Sequence, residues 1–296
     1  VGSGCDTVSI RVENLSHTYN PGTPFERCAI DDVTFEINDG EFVAIVGETG
    51  SGKSTLIQHF NGLLKPTKGR IFVDEVDIWG KGVGLKSIRQ KVGLVFQYPE
   101  HQLFEETVFK DIAFGPRNIG IPDDEVESRV QEAMKMVGLD YKELRDRSPF
   151  ELSGGEKRRV AMAGVIAMKP SVIVLDEPAS GLDPRGRDTI LAEIRELHEK
   201  FGFTVVLVSH SMEDVAKLAR RVVVLHKARL IADGPTKDVF SNEDILRRAG
   251  LEVPQVTRLM HELKRRNMDV RTDILTVEEA KHEIIRVLKG GDSGVS

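Results

Sequence analysis

Gly47-Glu48-Thr49-Gly50-Ser51-Gly52-Lys53-Ser54-Thr55 follows the apolar run Phe42–Val46 and precedes a segment of helical character. Strand, glycine-rich loop, helix is the order a phosphate-binding loop requires. Glycines let the backbone wrap so that its N–H groups point inward, and the helix start adds partial positive charge toward the β- and γ-phosphates of a nucleotide. Lys53 supplies a full charge and Ser54 a hydroxyl for Mg²⁺. A merely structural glycine turn is the alternative, and the flanking strand and helix weigh against it.

Outward from the loop, a second apolar run ends in two acids: Val172-Ile173-Val174-Leu175-Asp176-Glu177-Pro178. A central strand whose carboxyl end faces the phosphates would carry such a pair. Asp176 would hold Mg²⁺ through water, and Glu177 would orient and deprotonate the attacking water. The run Val205–Ser209 delivers His210 toward the same edge, where an imidazole can contact the γ-phosphate or the water. Gln97 follows the strand-like Val92–Phe96, so its amide can reach Mg²⁺ or water. Tyr19, in a turn-rich segment, would either stack on adenine or sit half-buried in a β-subdomain.

Strand patterns come first at Val8–Glu13, Val33–Ile37 and Phe42–Val46. The β pattern returns at Val172–Leu175, Thr204–Val208 and Val222–Leu225, separated by helix patterns at Pro184–Phe201 and Met212–Leu218, and that alternation predicts a largely parallel, helix-covered sheet. Residues 107–168 read as mostly helical, with near-helical apolar spacing over Asp123–Val137. Amphipathic stretches at Val253–Arg266 and Val277–Leu288 form a small helical appendix. The fold class is α/β.

With 296 residues the chain can bury a sizeable core, and it shows no apolar run near the roughly 20 residues of a spanning helix. A net charge of −6 weighs against a general nucleic-acid binder. Cys5 and Cys28 have no metal-ligand spacing, so a disulfide framework and a zinc site are not indicated and a reducing cytoplasm is the simplest setting. No basic start followed by an apolar run opens the chain, and Val1–Gly4 is set aside from the fold argument.

Leu152-Ser153-Gly154-Gly155-Glu156-Lys157-Arg158-Arg159 separates this chain from other phosphate-loop ATPases. Ser153 and Glu156 fit the capping-box spacing that opens a helix, while Gly154 and Gly155 leave backbone N–H groups uncovered for an anion. A capped helix and an anion site are compatible. Together with the loop at Gly47, Gln97, Asp176, Glu177, Ser180-Gly181-Leu182-Asp183 and His210, this segment resembles the ATP-binding cassette (ABC) ATPases over roughly residues 8–245. The resemblance implies a phosphate-loop NTPase core with an antiparallel β-subdomain, a helical subdomain at about 98–169 and a C-terminal helical dimerisation extension at 246–290. It assigns Ser153, Gly154 and Gly155 to ATP held by an opposite cassette, and Asp183 to communication across that interface.

Gln97-Tyr98-Pro99-Glu100-His101-Gln102-Leu103-Phe104, followed by Thr107-Val108 and Asp111–Pro116, is similar to the ATPases of energy-coupling factor (ECF) transporters, which import vitamins and transition-metal ions. Glu156 stands where many members have glutamine. The implied partners are a second ATPase subunit, an integral membrane coupling subunit and a substrate-binding membrane subunit, with the chain peripheral on the cytoplasmic face of the cell membrane. A groove near residues 98–116 would receive helices of the membrane subunit. Leu103, Phe104 and Phe114 either line it or pack internally; Glu105 and Glu106 either pair with that partner or are solvated. The rival function is a soluble ABC ATPase acting on nucleic acid or ribosomes, for which one cassette and an acidic balance offer little. A nucleotide clamp without turnover would not need Glu177 and His210.

Overall fold

The computed structural model describes residues 8–290, which leaves Cys5 outside; Cys28 is an exposed free thiol. In chain order the first elements are β1 (Val8–Tyr19), β2 (Arg27–Asn38), β3 (Phe42–Val46), α1 (Lys53–Phe60), β4 (Lys68–Val73), β5 (Val76–Asp77), α2 (Leu85–Lys91) and β6 (Val92–Val95). A helical block follows: α3 (Val108–Ile119), α4 (Asp123–Met136), α5 (Tyr141–Leu144) and α6 (Gly154–Ile166). Alternation then resumes with β7 (Val172–Asp176), α7 (Pro184–Phe201), β8 (Thr204–Val208), α8 (Met212–Leu218), β9 (Arg221–His226) and β10 (Arg229–Pro235). The short helices α9 (Thr236–Ser241) and α10 (Glu243–Arg248) lead to α11 (Gln255–Arg265) and α12 (Val277–Gly290).

Two sheets organise the molecule. The larger runs β10-β9-β3-β8-β7-β6 and is parallel from β9 to β6, with β10 antiparallel at one edge. The smaller, β2-β1-β4-β5, is antiparallel. The large sheet's central strands are apolar without alternation because both faces are covered. Val43, Ile45, Val174, Val206 and Val223 face a core shared with the antiparallel sheet and α1. Their neighbours Ala44, Val46, Leu175, Leu207 and Val224 face a second core built with the helices. The last two helices enclose a small core of their own around Met260, Val270, Ile274 and Ala280, while Leu275 joins the main helical core. Among the described residues no helix is long and apolar enough to cross a membrane.

The apolar runs and long helices lie where their spacing predicts. What the sequence reading did not foresee are β4, β5, β10, α2, α9 and α10. These are edge or short pieces: β4 buries only Ile71 and Val73, and β10 buries no residue fully, so neither carries a strong periodic signal. Tyr19 closes β1 rather than lying in a turn, because β1 continues pairing with β2 as far as Tyr19 opposite Arg27.

Candidate active site

Strand order assembles the site. Because β3, β8, β7 and β6 are adjacent and parallel, their carboxyl ends bring the glycine-rich loop, His210, Glu177 and Gln97 to one edge of the sheet. Four segments scattered over more than a hundred residues of chain thus become neighbours.

The loop's shape depends on missing side chains. Gly52 has φ 110°, and a Cβ there would collide with the carbonyl oxygen of Ala29. At Gly47 a Cβ would strike the carbonyl oxygen of Leu225. The Ser51 hydroxyl is buried and has no hydrogen-bond partner among the described residues. Lys53 is 8% exposed, and its ammonium donates to the carbonyls of Gly47 at 2.7 Å and Glu48 at 3.0 Å. Burial lowers the Lys53 pKa, against the pull of the Glu177, Asp176 and Glu48 carboxylates. A cation in that position gains from a phosphate, which supplies the anion that burial makes it lack.

Asp176 is buried, and desolvation raises its carboxyl above the usual range, opposed by a hydrogen bond from the Ser54 hydroxyl and by Lys53. Ser54 and Asp176 thus form a pair of hard oxygen donors beside the loop. Among the described residues no group of three His, Cys, Asp or Glu side chains could hold a metal alone. That donor set fits Mg²⁺, which keeps waters and takes phosphate oxygens rather than an all-protein cage.

Glu177 follows directly and adopts φ 52°, uncommon for a side chain of its size. Its N–H donates to Val208 at 3.0 Å and its carbonyl accepts from Ser180 at 3.0 Å, so ladder and turn together hold the left-handed residue. The Glu177 carboxylate lies 2.8 Å from His210 Nδ1; the glutamate is largely buried and the imidazole largely exposed. Glu177, Ser180, Arg187, Ser209, His210 and Asp214 line a cavity of about 170 Å³. A carboxylate with an imidazole against it at a polar cavity wall can activate and orient a water molecule.

Gln97 is exposed, and its amide nitrogen donates to Ser180 Oγ at 3.2 Å, leaving the amide oxygen for a metal or water. The Tyr19 hydroxyl lies 3.2 Å from Thr55 Oγ1, so the exposed ring stands beside the first turn of α1.

The Ser153 turn lies elsewhere. It forms both capping-box bonds: Glu156 N–H to Ser153 Oγ at 3.3 Å and Ser153 N–H to the Glu156 carboxylate at 2.9 Å. Bonds from the Ser153 hydroxyl and N–H hold the Glu156 carboxyl below its ordinary range. Ser153, Gly154 and Gly155 are exposed, a Cβ at either glycine meets nothing within 4 Å, and among the described residues no hydrogen bond joins this turn to the phosphate loop. Asp183, also exposed, caps α7 by accepting from Gly186 N–H at 2.7 Å.

Sequence reasoning missed the ion pair that joins these parts. Arg158, on α6 and 5% exposed, donates to the Glu100 carboxylate at 3.1 Å and to the carbonyls of Pro178 at 2.8 Å and Ser180 at 3.4 Å. Burial pushes the Glu100 carboxyl up, but the bonds and charge of Arg158 outweigh it and leave the pKa lowered. One guanidinium therefore ties the Gln97 segment, the Ser153 helix and the loop after Glu177. Arg158 shares a helical face with buried Met162 and Ile166, a spacing that the surrounding Lys-Arg-Arg run masks. Arg187 is a second such clamp, joining α7 to Asp214 at 2.9 Å and to Ser211 beside His210.

Of the apolar residues after Gln97, Leu103 packs internally, whereas Phe104 and Phe114 are exposed and stack edge to face with ring centroids 4.9 Å apart. Glu106 pairs with Lys110 one turn along α3.

The ABC transporter family model matches residues 30–180. The energy-coupling factor transporter ATP-binding protein EcfA2 of Clostridium tetani is 59% identical over 280 residues, covering 95% of this chain and 97% of that relative. The structure of cbiO1 from Clostridium perfringens, part of the ABC transporter complex cbiONQ, superposes with TM-score 0.72 at 38% identity, covering 86% of this chain and all of that one. A dimeric post-hydrolysis state of the ATP-binding cassette MJ0796 bound to ADP and Pi gives TM-score 0.67 at 29% identity, covering 77% and 98%.

Proposed function

Since this chain belongs to the ATP-binding subunits of energy-coupling factor transporters, within the ABC transporter family, we propose that its site is one half of a composite ATPase completed by a second cassette. The chain binds and hydrolyses ATP as a subunit of an ECF-type ABC importer. The observation that carries the proposal is the separation of two anion-binding elements: the buried loop around Lys53 and the exposed, pre-capped turn at Ser153–Gly155.

On this reading, amides of residues 47–55 and Lys53 hold the phosphates of one ATP, Tyr19 stacks on its adenine, and the Ser153 turn of the opposing cassette covers its γ-phosphate. Ser54, Asp176 through water, and the Gln97 oxygen would hold Mg²⁺, which when bound neutralises charge on the β- and γ-phosphate oxygens. Glu177 takes the proton of the attacking water while His210 fixes the carboxylate's orientation. Asp183, at the start of α7, faces the second cassette. Each ATP that binds the closed pair more tightly than the open one shifts the pair toward closure, and hydrolysis releases it.

The exposed Phe104–Phe114 pair, one step from Gln97 through Glu100 and Arg158, is the surface on which an integral coupling subunit would dock its helices. The chain then sits on the cytoplasmic face of the membrane, beside a second ATPase and a substrate-binding membrane subunit. Purification from solubilised membranes tests this. We expect an integral membrane subunit and an ATPase partner to co-purify, and ATPase activity to rise with cassette concentration. Full activity from an isolated single cassette at high dilution would overturn it.

A further inference from the structure

Beneath Tyr19 lies a closed ring of aromatic and hydrogen-bond contacts that the hydrolytic chemistry does not use. His17 and Tyr19 are two residues apart on β1 and share a face, with ring centroids 4.6 Å apart edge to face. His17 meets His59 of α1 in the same manner at 4.7 Å, with His17 Nδ1 3.2 Å from His59 Nε2. His59 Nδ1 lies 2.7 Å from the carbonyl oxygen of Thr55, and Thr55 Oγ1 lies 3.2 Å from the Tyr19 hydroxyl. The ring closes on Thr55, the residue two after Lys53.

Hydrogen-bond chemistry fixes the protons. A carbonyl only accepts, so His59 carries its hydrogen on Nδ1 and its Nε2 is an acceptor. His17 Nδ1 must then be the donor, shared between His59 Nε2 and the carbonyl of Lys65 at 3.1 Å. His59 is neutral with Nδ1–H and His17 carries a hydrogen on Nδ1, and a second proton on His59 would set two N–H groups against each other. His59 is fully buried and His17 nearly so. An aliphatic pair would fill this volume but supply none of the directional bonds, and removing either imidazole leaves the other ring or a carbonyl unpaired.

We propose that His17 and His59 are positioning residues for nucleotide binding: a two-imidazole strut that sets the Tyr19 ring at a fixed distance from the first turn of α1. Base and phosphates are then recognised at one spacing, because the platform for the first and the cradle for the second share Thr55. This rests on the reading above that residues 47–55 hold phosphate and Tyr19 holds adenine.

The test measures dissociation constants of ATP and of inorganic tripolyphosphate for the full chain. His59→Leu and His17→Leu should each weaken ATP binding about tenfold and raise the ATP KM to match, with kcat within about twofold and tripolyphosphate affinity unchanged. In a Tyr19→Ala background, His59→Leu should weaken ATP binding no further, since the strut then has nothing to hold. His17→Gln, which keeps an N–H donor, should recover part of the loss and serves where a leucine variant folds poorly. Equal losses for ATP and tripolyphosphate, or full additivity with Tyr19→Ala, would reduce the histidines to core packing and overturn the inference. Lys53→Ala separates the two readings. If it loses tripolyphosphate and Tyr19→Ala loses ATP while both histidine variants bind normally, only the strut fails. If Lys53→Ala binds both ligands as the parent does, the phosphate-loop reading fails with it.

Discussion

The phosphate loop and the Ser153 turn are both glycine-rich segments that open a helix, yet the fold treats them oppositely. The loop is enclosed: carbonyls of Ala29 and Leu225 stand where side chains would be, and its lysine is buried. The turn is open, with nothing near its glycines and a serine spent on capping its own helix. An enclosed anion site is complete within one chain, whereas an open one needs another surface to exclude water before its N–H groups act in a low dielectric. On the proposed reading, the same sequence chemistry serves two sides of one ligand.

The sharpest way to break this comparison is to remove the proposed base and leave both proposed anion sites intact. Glu177→Gln should lower kcat by about 10²–10⁴-fold while ATP affinity is kept, and should trap an ATP-bound pair visible by size-exclusion chromatography. Normal turnover would show that Glu177 is not the base. Next in size is Arg158→Ala, which strands Glu100 and two carbonyls in the interior. It should cost about 3–5 kcal/mol in urea unfolding, against less for the Arg158→Met, Glu100→Leu double variant. A loss below about 1 kcal/mol would mean that the ion pair does not hold the turn's helix from inside.

Alanine in the two glycine segments should act with opposite signs. Gly52→Ala places a Cβ against Ala29 at positive φ and should cost about 1–3 kcal/mol together with ATP binding. Gly155→Ala has open space on a helix and should stabilise by about 0.5–1 kcal/mol, yet slow hydrolysis by the paired cassettes. Differential scanning calorimetry beside steady-state ATPase assays separates the two; the same sign for both in calorimetry would erase the contrast.

The last effect is in pH. Burial lowers the His59 pKa to about 4, against the backbone bond to Thr55. The unfolded chain binds that proton near pH 6.5 and the folded one does not, so stability is full above that value. It falls by up to about 1.4 kcal/mol per unit as pH drops toward 4. Glu156 behaves differently: its lowered pKa means its capping contribution stays until pH falls below the ordinary carboxylate value. Between pH 6.5 and 5, chemical denaturation should show a decline that His59→Leu removes and Glu156→Ala does not. A decline unchanged in His59→Leu would place its source elsewhere.

Much of the site was legible beforehand because its signals are local. Phe42–Thr55, Val172–Glu177 and Val205–His210 are each a run of apolar residues meeting polar ones at a strand end, which one chain segment displays by itself. Ser153 and Glu156 announced their capping box by spacing alone. Arg158 was hidden because a Lys-Arg-Arg run looks solvated, and burial of its middle residue depends on what α6 packs against. The His17–His59 contact joins residues forty-two apart on a strand and a helix, a distance no periodicity spans.

By itself, then, the sequence determined the chemistry on offer: a lysine among glycines, two acids ending a buried strand, a second glycine turn, and the family these belong to. Only the tertiary structure decided which of these groups meet. The parallel order β3-β8-β7-β6 places Glu177 against His210, while helix packing buries Arg158 and leaves Ser153 facing outward. The physical reason is that a segment's backbone propensity and charge are carried by adjacent residues, but burial and hydrogen-bond partnership are properties of the space between elements distant in the chain.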